Sequence, residues 1–98
     1  MNRQFAKNVY LDCIKVQTDN WTKGEASIGK KLFYFEIKHF EEPSEFGIQN
    51  GRISKLHITE FRYIKGDEIS YDRGWYKHWR KAPKEMQAVY RAILKKYN

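Results

Sequence analysis

Cysteine occurs once in this chain of 98 residues, at Cys13, so no disulfide can form within it. Nothing in its cysteine usage argues for secretion, and the expected location is the reducing, cytoplasmic compartment. Proline occurs twice, at Pro43 and Pro83, and neither lies in a Pro, Gly or Ser-rich linker. Without linkers, low-complexity tracts or internal repeats, residues 1–98 read as one domain. Long apolar runs are missing too. The opening MNRQFAKNVYLDCIKV is broken by Lys7, Asp12 and Lys15, which excludes a signal-peptide core there, and no stretch is long enough to span a bilayer. A membrane partner is therefore not expected.

Metal and cofactor signatures are equally scarce. His39, His57, His78 and Cys13 stand too far apart in sequence for a metal-ligand motif. No phosphate-binding loop, dinucleotide fingerprint, nucleophile elbow or paired-histidine zinc motif occurs. The expectation is no metal, no cofactor and no small-molecule cofactor chemistry. The most informative scarcity is of acid at one end. From Arg73 to Asn98 there are eight lysines or arginines and a single acid, Glu85, an excess of seven that equals the net charge of the whole chain. Residues 1–72 are balanced, with eleven bases and eleven acids.

What is present is enough for a modest core. Apolar residues make up 41% of the chain and aromatics 16%, too rich for disorder. Residues 5–17 mix β-formers without a clean period, so strand is only narrowly preferred to helix. Ile28-Gly29-Lys30-Lys31 reads as a hairpin turn between strands near 21–28 and 31–40. In the second of these, Phe33, Phe35 and Ile37 alternate with Tyr34, Glu36 and Lys38, which gives one apolar face. EEPSEF (41–46) is a loop, and Asn50-Gly51 is a turn signal because both residues tolerate positive φ. A strand over Arg52–Tyr63, a turn at Lys65-Gly66-Asp67 and a short strand over Glu68–Arg73 follow. After Pro83, placed at the first helical position, Met86, Val89, Tyr90, Ile93, Leu94 and Tyr97 recur with the helical period. The predicted fold is α+β: an antiparallel sheet of four to five strands, with one C-terminal amphipathic helix packed on one face.

The basic segment then divides in two. Lys84, Arg91 and Lys95 fall within about 40° of one another on the helix side opposite the apolar stripe, forming a ridge that faces solvent. A charged helix face is by default merely solvated, but such faces usually interleave acids, and here Glu85 stands alone. The preceding connector, RGWYKHWRK (73–81), brings Arg73, Lys77, Arg80 and Lys81 together with Tyr76, His78 and Trp79. Cations interleaved with aromatics suit phosphate backbones and stacked bases. Trp75, directly after a strand, is expected to anchor the core rim, and Trp79, among polar neighbours, to keep part of its ring accessible. The acidic loop of Glu41, Glu42 and Glu45 is expected to stay in solvent.

Three blocks, EPSEFGI (42–48), GRISKL (51–56) and YDRGW (71–75), resemble a small family of bacterial, phage and mobile-element proteins that is known only as a domain of unknown function. The resemblance spans about Trp21 to Trp75, a sheet core, and implies no reaction, so no catalytic role carries over. On this reading the strongly basic stretch after Trp75 lies outside the shared pattern. The expected function is that of a non-enzymatic basic binding protein whose partner is nucleic acid or a nucleic-acid-bound protein effector. An inhibitor of a host defence nuclease, of the anti-CRISPR kind, is its concrete form. The alternatives are a ribosome-associated endoribonuclease toxin, using Tyr71, Arg73 and His78, and a structural protein-binding subunit.

Overall fold

Period-two alternation dominates the chain before residue 73 and period 3.6 after residue 83, and the computed structural model turns these into a sheet and a helix. It describes residues 9–16, 20–60 and 67–98, with 13–16 described by backbone alone. Six antiparallel strands run in chain order across the sheet: β1 (Val9–Val16), β2 (Trp21–Ile28), β3 (Lys31–His39), β4 (Ile53–Glu60), β5 (Glu68–Asp72) and β6 (Trp75–Lys77). Among the described residues one α-helix, α1 (Lys84–Tyr97), forms, and it packs against one face. Strand is thus the outcome for the narrowly preferred N-terminal segment from residue 9 on. The expected turn at Lys65-Gly66 and the end of the predicted third strand, 61–63, lie outside the described residues.

The register explains how the core forms. Phe35 pairs with Gly24 on one side and Ile58 on the other, and Ile58 pairs in turn with Ile69, so these positions share one face. The next row is Thr22, Ile37, Leu56, Tyr71 and Trp75. Onto these rows α1 lays Met86, Ala88, Val89, Tyr90 and Ile93, all buried, with Leu94 and Tyr97 at the margin. Burying such side chains stabilises by roughly 1.5–3 kcal/mol each relative to exposure, which is what holds the helix to the sheet. The stripe read from the sequence is the buried one, so the opposite ridge faces outward.

Three details differ from the sequence reading. The sheet has six strands rather than four or five, because Trp75–Lys77, read as connector, pairs with β5. Positive φ falls on Gln49 (53°) and Asn50 (59°), not on Gly51, whose φ is −101°. Gly51 is required for space instead: a β-carbon there would run into the Asn98 side chain, and one on Gly47 into the Gly51 carbonyl. Pro83 precedes the helix as its N-cap, at φ −58° and ψ 156°, rather than opening it.

The end of α1 is tied down at that same loop. The Ile53 backbone N–H donates to Asn98 Oδ1 at 2.8 Å, and Asn98 Nδ2 donates to the Ile48 carbonyl at 3.1 Å. Tyr71 Oη donates to the Phe46 carbonyl at 2.9 Å, and the Arg73 N–H donates to the Ser54 carbonyl at 2.9 Å. The three sequence blocks therefore meet at one end of the sheet, where they fix the helix direction and the β5–β6 turn.

On the sheet's other face, among the described residues, three charged pairs meet across strands, while Lys38 lies over the Trp21 and Phe40 rings and Glu25 faces Asp12. Lys23 Nζ lies 3.6 Å from Glu36, Lys55 Nζ lies 3.9 Å from Asp72, and His57 Nε2 lies 2.6 Å from Glu68. No helix of the described residues is long and apolar enough to cross a membrane.

Candidate nucleic-acid interface

The interface begins at the β5–β6 turn. Arg73 takes a left-handed conformation, φ 55°, and Gly74 follows it, so the chain reverses in two residues. The Arg73 side chain projects into solvent, with Nε 3.6 Å from Asp72 Oδ1. In β6 the register shifts: Trp75 faces Tyr71 and Lys77 faces Ser70, which leaves Tyr76 as the extra residue of a bulge. That explains its exposure of 73%, the highest among the large apolar side chains of the described residues.

Trp75 turns inward and is partly buried. Its ring centroid is 4.9 Å from Tyr71, 4.7 Å from His78 and 5.7 Å from Tyr90. The rim role expected from its position is the one it occupies. His78 then caps a 3-10 turn (Trp79–Lys81), with its Nδ1 accepting from the Arg80 N–H at 3.2 Å. Gln87, one helical turn before Arg91, donates from Nε2 to the Arg80 carbonyl at 3.2 Å and the Ala82 carbonyl at 2.9 Å. Connector and helix are thereby joined into one surface.

At its centre lies a stack. Trp79 is nearly parallel to Tyr90, with centroids 4.9 Å apart and planes at 17°. The guanidinium carbons of Arg80 and Arg91 lie 5.3 and 5.7 Å from the Trp79 centroid, within cation–π range. Trp79 is consequently half-buried, part of its ring serving as a floor for two arginines. Burial, with a smaller push from Tyr71 and an opposing one from Arg80, raises the Tyr90 phenol to about 12. Burial also raises that of Tyr71.

Lys84, Arg91 and Lys95 are exposed along the outer side of α1, as the helical spacing requires. Glu85, the segment's single acid, lies 4.0 Å from Lys31, a residue of β3. Among the described residues, Lys77, Arg80, Lys81, Lys84, Arg91, Lys95 and Lys96 therefore have no carboxylate at ion-pair distance. At the sheet edge, beside this surface, a cavity of about 440 Å³ is lined by Asp67, Glu68, Trp75, Tyr76, Lys77, His78, Lys81 and Ala82.

Of the sequence candidates, Tyr76, Lys77, His78 and Lys81 share that cavity, Trp79, Arg80 and Arg91 share the stack, and Lys84 and Lys95 extend the ridge. Arg73 sits apart at the turn. Gln87, Asp67 and Glu68 were missed. Gln87 had a signal in its spacing from Lys84 and Arg91, whereas the two acids looked like an ordinary turn and strand start. Tyr71, Arg73 and His78 do not form a common centre: the Trp75 ring stands between Tyr71 and His78, and the Tyr71 hydroxyl is held by a carbonyl. Among the described residues, no three His, Cys, Asp or Glu side chains gather to hold a metal.

A domain family of unknown function, DUF7678, matches residues 20–98, and the chain belongs to it. The match runs through the connector and the helix, which corrects the expectation that the likeness ends at Trp75. The basic surface therefore sits within the family domain rather than appended to it. No curated protein and no solved structure matches the chain.

Proposed function

We propose that this protein is a non-enzymatic nucleic-acid-binding module that holds phosphate backbone along Lys84, Arg91 and Lys95 and across the Arg80–Trp79–Arg91 stack. The observation that carries the reading is the set of seven connector and helix cations that have no carboxylate partner among the described residues, on a protein whose other sheet face carries three cross-strand charge pairs. Unpaired cations of one sign concentrated on a rigid element repel one another unless a polyanion is bound, and phosphate relieves that repulsion while releasing counterions. Stacked aromatic rings beneath two arginines add a flat, sequence-tolerant surface. A narrower form is an inhibitor from a phage or mobile element that occupies the guide or target contacts of a host defence nuclease, and it would use this same surface.

The endoribonuclease alternative finds less support, because the Trp75 ring packs against both Tyr71 and His78 and the Tyr71 hydroxyl is held by the Phe46 carbonyl. The deciding experiment is a pull-down from host lysate with and without nuclease treatment, together with a salt titration on purified nucleic acid. With about five phosphates engaged, log K falls with log salt at a slope of about −4 to −5. A flat salt response removes the reading. Capture of a protein that survives nuclease treatment points instead to direct recognition of an effector.

A further inference from the structure

The cavity at the β6 edge does not fit a purely phosphate-binding surface, because two of its lining residues are acids. Asp67 is exposed and, among the described residues, pairs with no cation. Glu68 gives one oxygen, Oε1, to His57 at 2.6 Å. The same lining includes Lys77 and Lys81, which among the described residues pair with no carboxylate, and no ion pair joins them to the two acids. A cavity lined by both acceptors and donors is matched by a ligand carrying both. Its aromatic lining, Trp75 and the exposed Tyr76, suits a flat one.

We infer that this cavity takes a single unstacked guanine from the bound strand, which rests on the nucleic-acid reading above and sharpens it. Guanine offers two adjacent donors on its pairing edge, N1–H and the N2 amine, and one carboxylate accepts both. Its O6 and N7 acceptors then face lysine. Uracil has no amine to offer a carboxylate, and adenine and cytosine lack the paired donors. A backbone phosphate in the cavity would meet the acids and be repelled. Base entry also requires an unpaired strand, since the pairing edge is hidden in a duplex.

The test compares a short fluorescent oligouridine with the same strand carrying one central guanine, in ribose and deoxyribose forms (the latter on a thymidine background), at low salt. The guanine strand is expected to bind roughly tenfold tighter, the scale of one bidentate base contact. Replacing that guanine by inosine, which lacks the N2 amine, should remove most of the gain. Asp67→Asn should bring the two strands close to equal, with oligouridine bound at least as tightly as by the parent because an acid beside the strand is removed, and an unchanged circular-dichroism spectrum shows the variant to be folded. Equal binding of both strands by the unsubstituted protein overturns the guanine site but leaves the phosphate surface standing, as does full tightening by inosine. If neither strand binds, the nucleic-acid reading and the guanine site fail together.

Discussion

The open face of the sheet and the outer surface of the connector and helix use the same residue types to opposite ends. On the sheet, Lys23 meets Glu36 and Lys55 meets Asp72 as register partners, and His57 meets Glu68 diagonally across β4 and β5. On the helix side, seven cations meet none among the described residues, and their support is apolar: Trp79 lies flat on Tyr90 and carries Arg80 and Arg91. A charged surface whose partners are internal is complete as it stands. One whose partners are missing leaves electrostatic free energy to be recovered on binding, so the missing acids are the better mark of function than the cations themselves.

The largest expected effect reverses this asymmetry. Replacing Lys84, Arg91 and Lys95 together by glutamate should cost roughly tenfold in affinity per lost phosphate contact near 0.1 M salt, about a thousandfold in total. The salt slope should become shallower by about three. Since all three side chains are exposed, the melting temperature should hardly move. Unchanged binding would mean that the helix face is solvated like the sheet face, and the contrast would collapse.

The next effect acts on the apolar support. Tyr90 is buried, its hydroxyl has no hydrogen-bond partner among the described residues, and its phenol is raised to about 12. Folding favours the neutral form, so the associated stability is fully present below the unfolded phenol value of about 10 and is lost as the pH rises toward 12. Denaturant titrations should lose about 2 to 3 kcal/mol over that window, a loss that Tyr90→Phe should abolish. At neutral pH the same variant should be as stable as the parent or more stable by about 1 kcal/mol, since it removes a buried unpaired group while keeping the ring. Marked destabilisation at neutral pH would show that the hydroxyl is bonded in solution.

Trp79→Ala should follow at about 2 kcal/mol of folding stability, below the cost of emptying a fully buried aromatic site because the ring is only half-buried. It should also weaken binding, since Arg80 and Arg91 lose the surface that orients them. Stability loss without any binding loss would confine Trp79 to the core and leave the ridge as the whole interface.

How much of this was legible in sequence follows from which features are local. Phe33, Phe35 and Ile37 announce their strand by alternation, and Met86 to Tyr97 announce the helix and, by geometry alone, the ridge behind it. β6 was hidden because three residues are too few to show a period, and its pairing depends on a bulge at Tyr76. The Asn98 clamp was out of reach for another reason. Its two bonds join residues 45 and 50 positions apart, and Gly51 between Ile48 and Ile53 reads in sequence as a turn residue although it is needed for space. The acids of the edge cavity, Asp67 and Glu68, acquire meaning only once the fold gathers them into one lining with Lys77 and Lys81. Local periodicity thus carried the fold and the ridge, while the features that depend on distant pairs needed the tertiary structure.

The smallest effect tests the quiet side of the comparison. Lys23 and Glu36 are cross-strand partners 3.6 Å apart with nearly half of each side chain in solvent, where water and salt screen the attraction. Exposed pairs of this kind contribute roughly 0.2–1 kcal/mol, and the interaction is isolated only by a double-mutant cycle, because each single change also alters strand propensity and packing. Lys23→Ala, Glu36→Ala and the double variant should give a coupling near about 0.5 kcal/mol that fades in high salt, with nucleic-acid affinity unchanged throughout. A fall in affinity on losing Lys23 would place phosphate on the open face as well, and ion pairing would then no longer separate the surface that binds from the surface that does not.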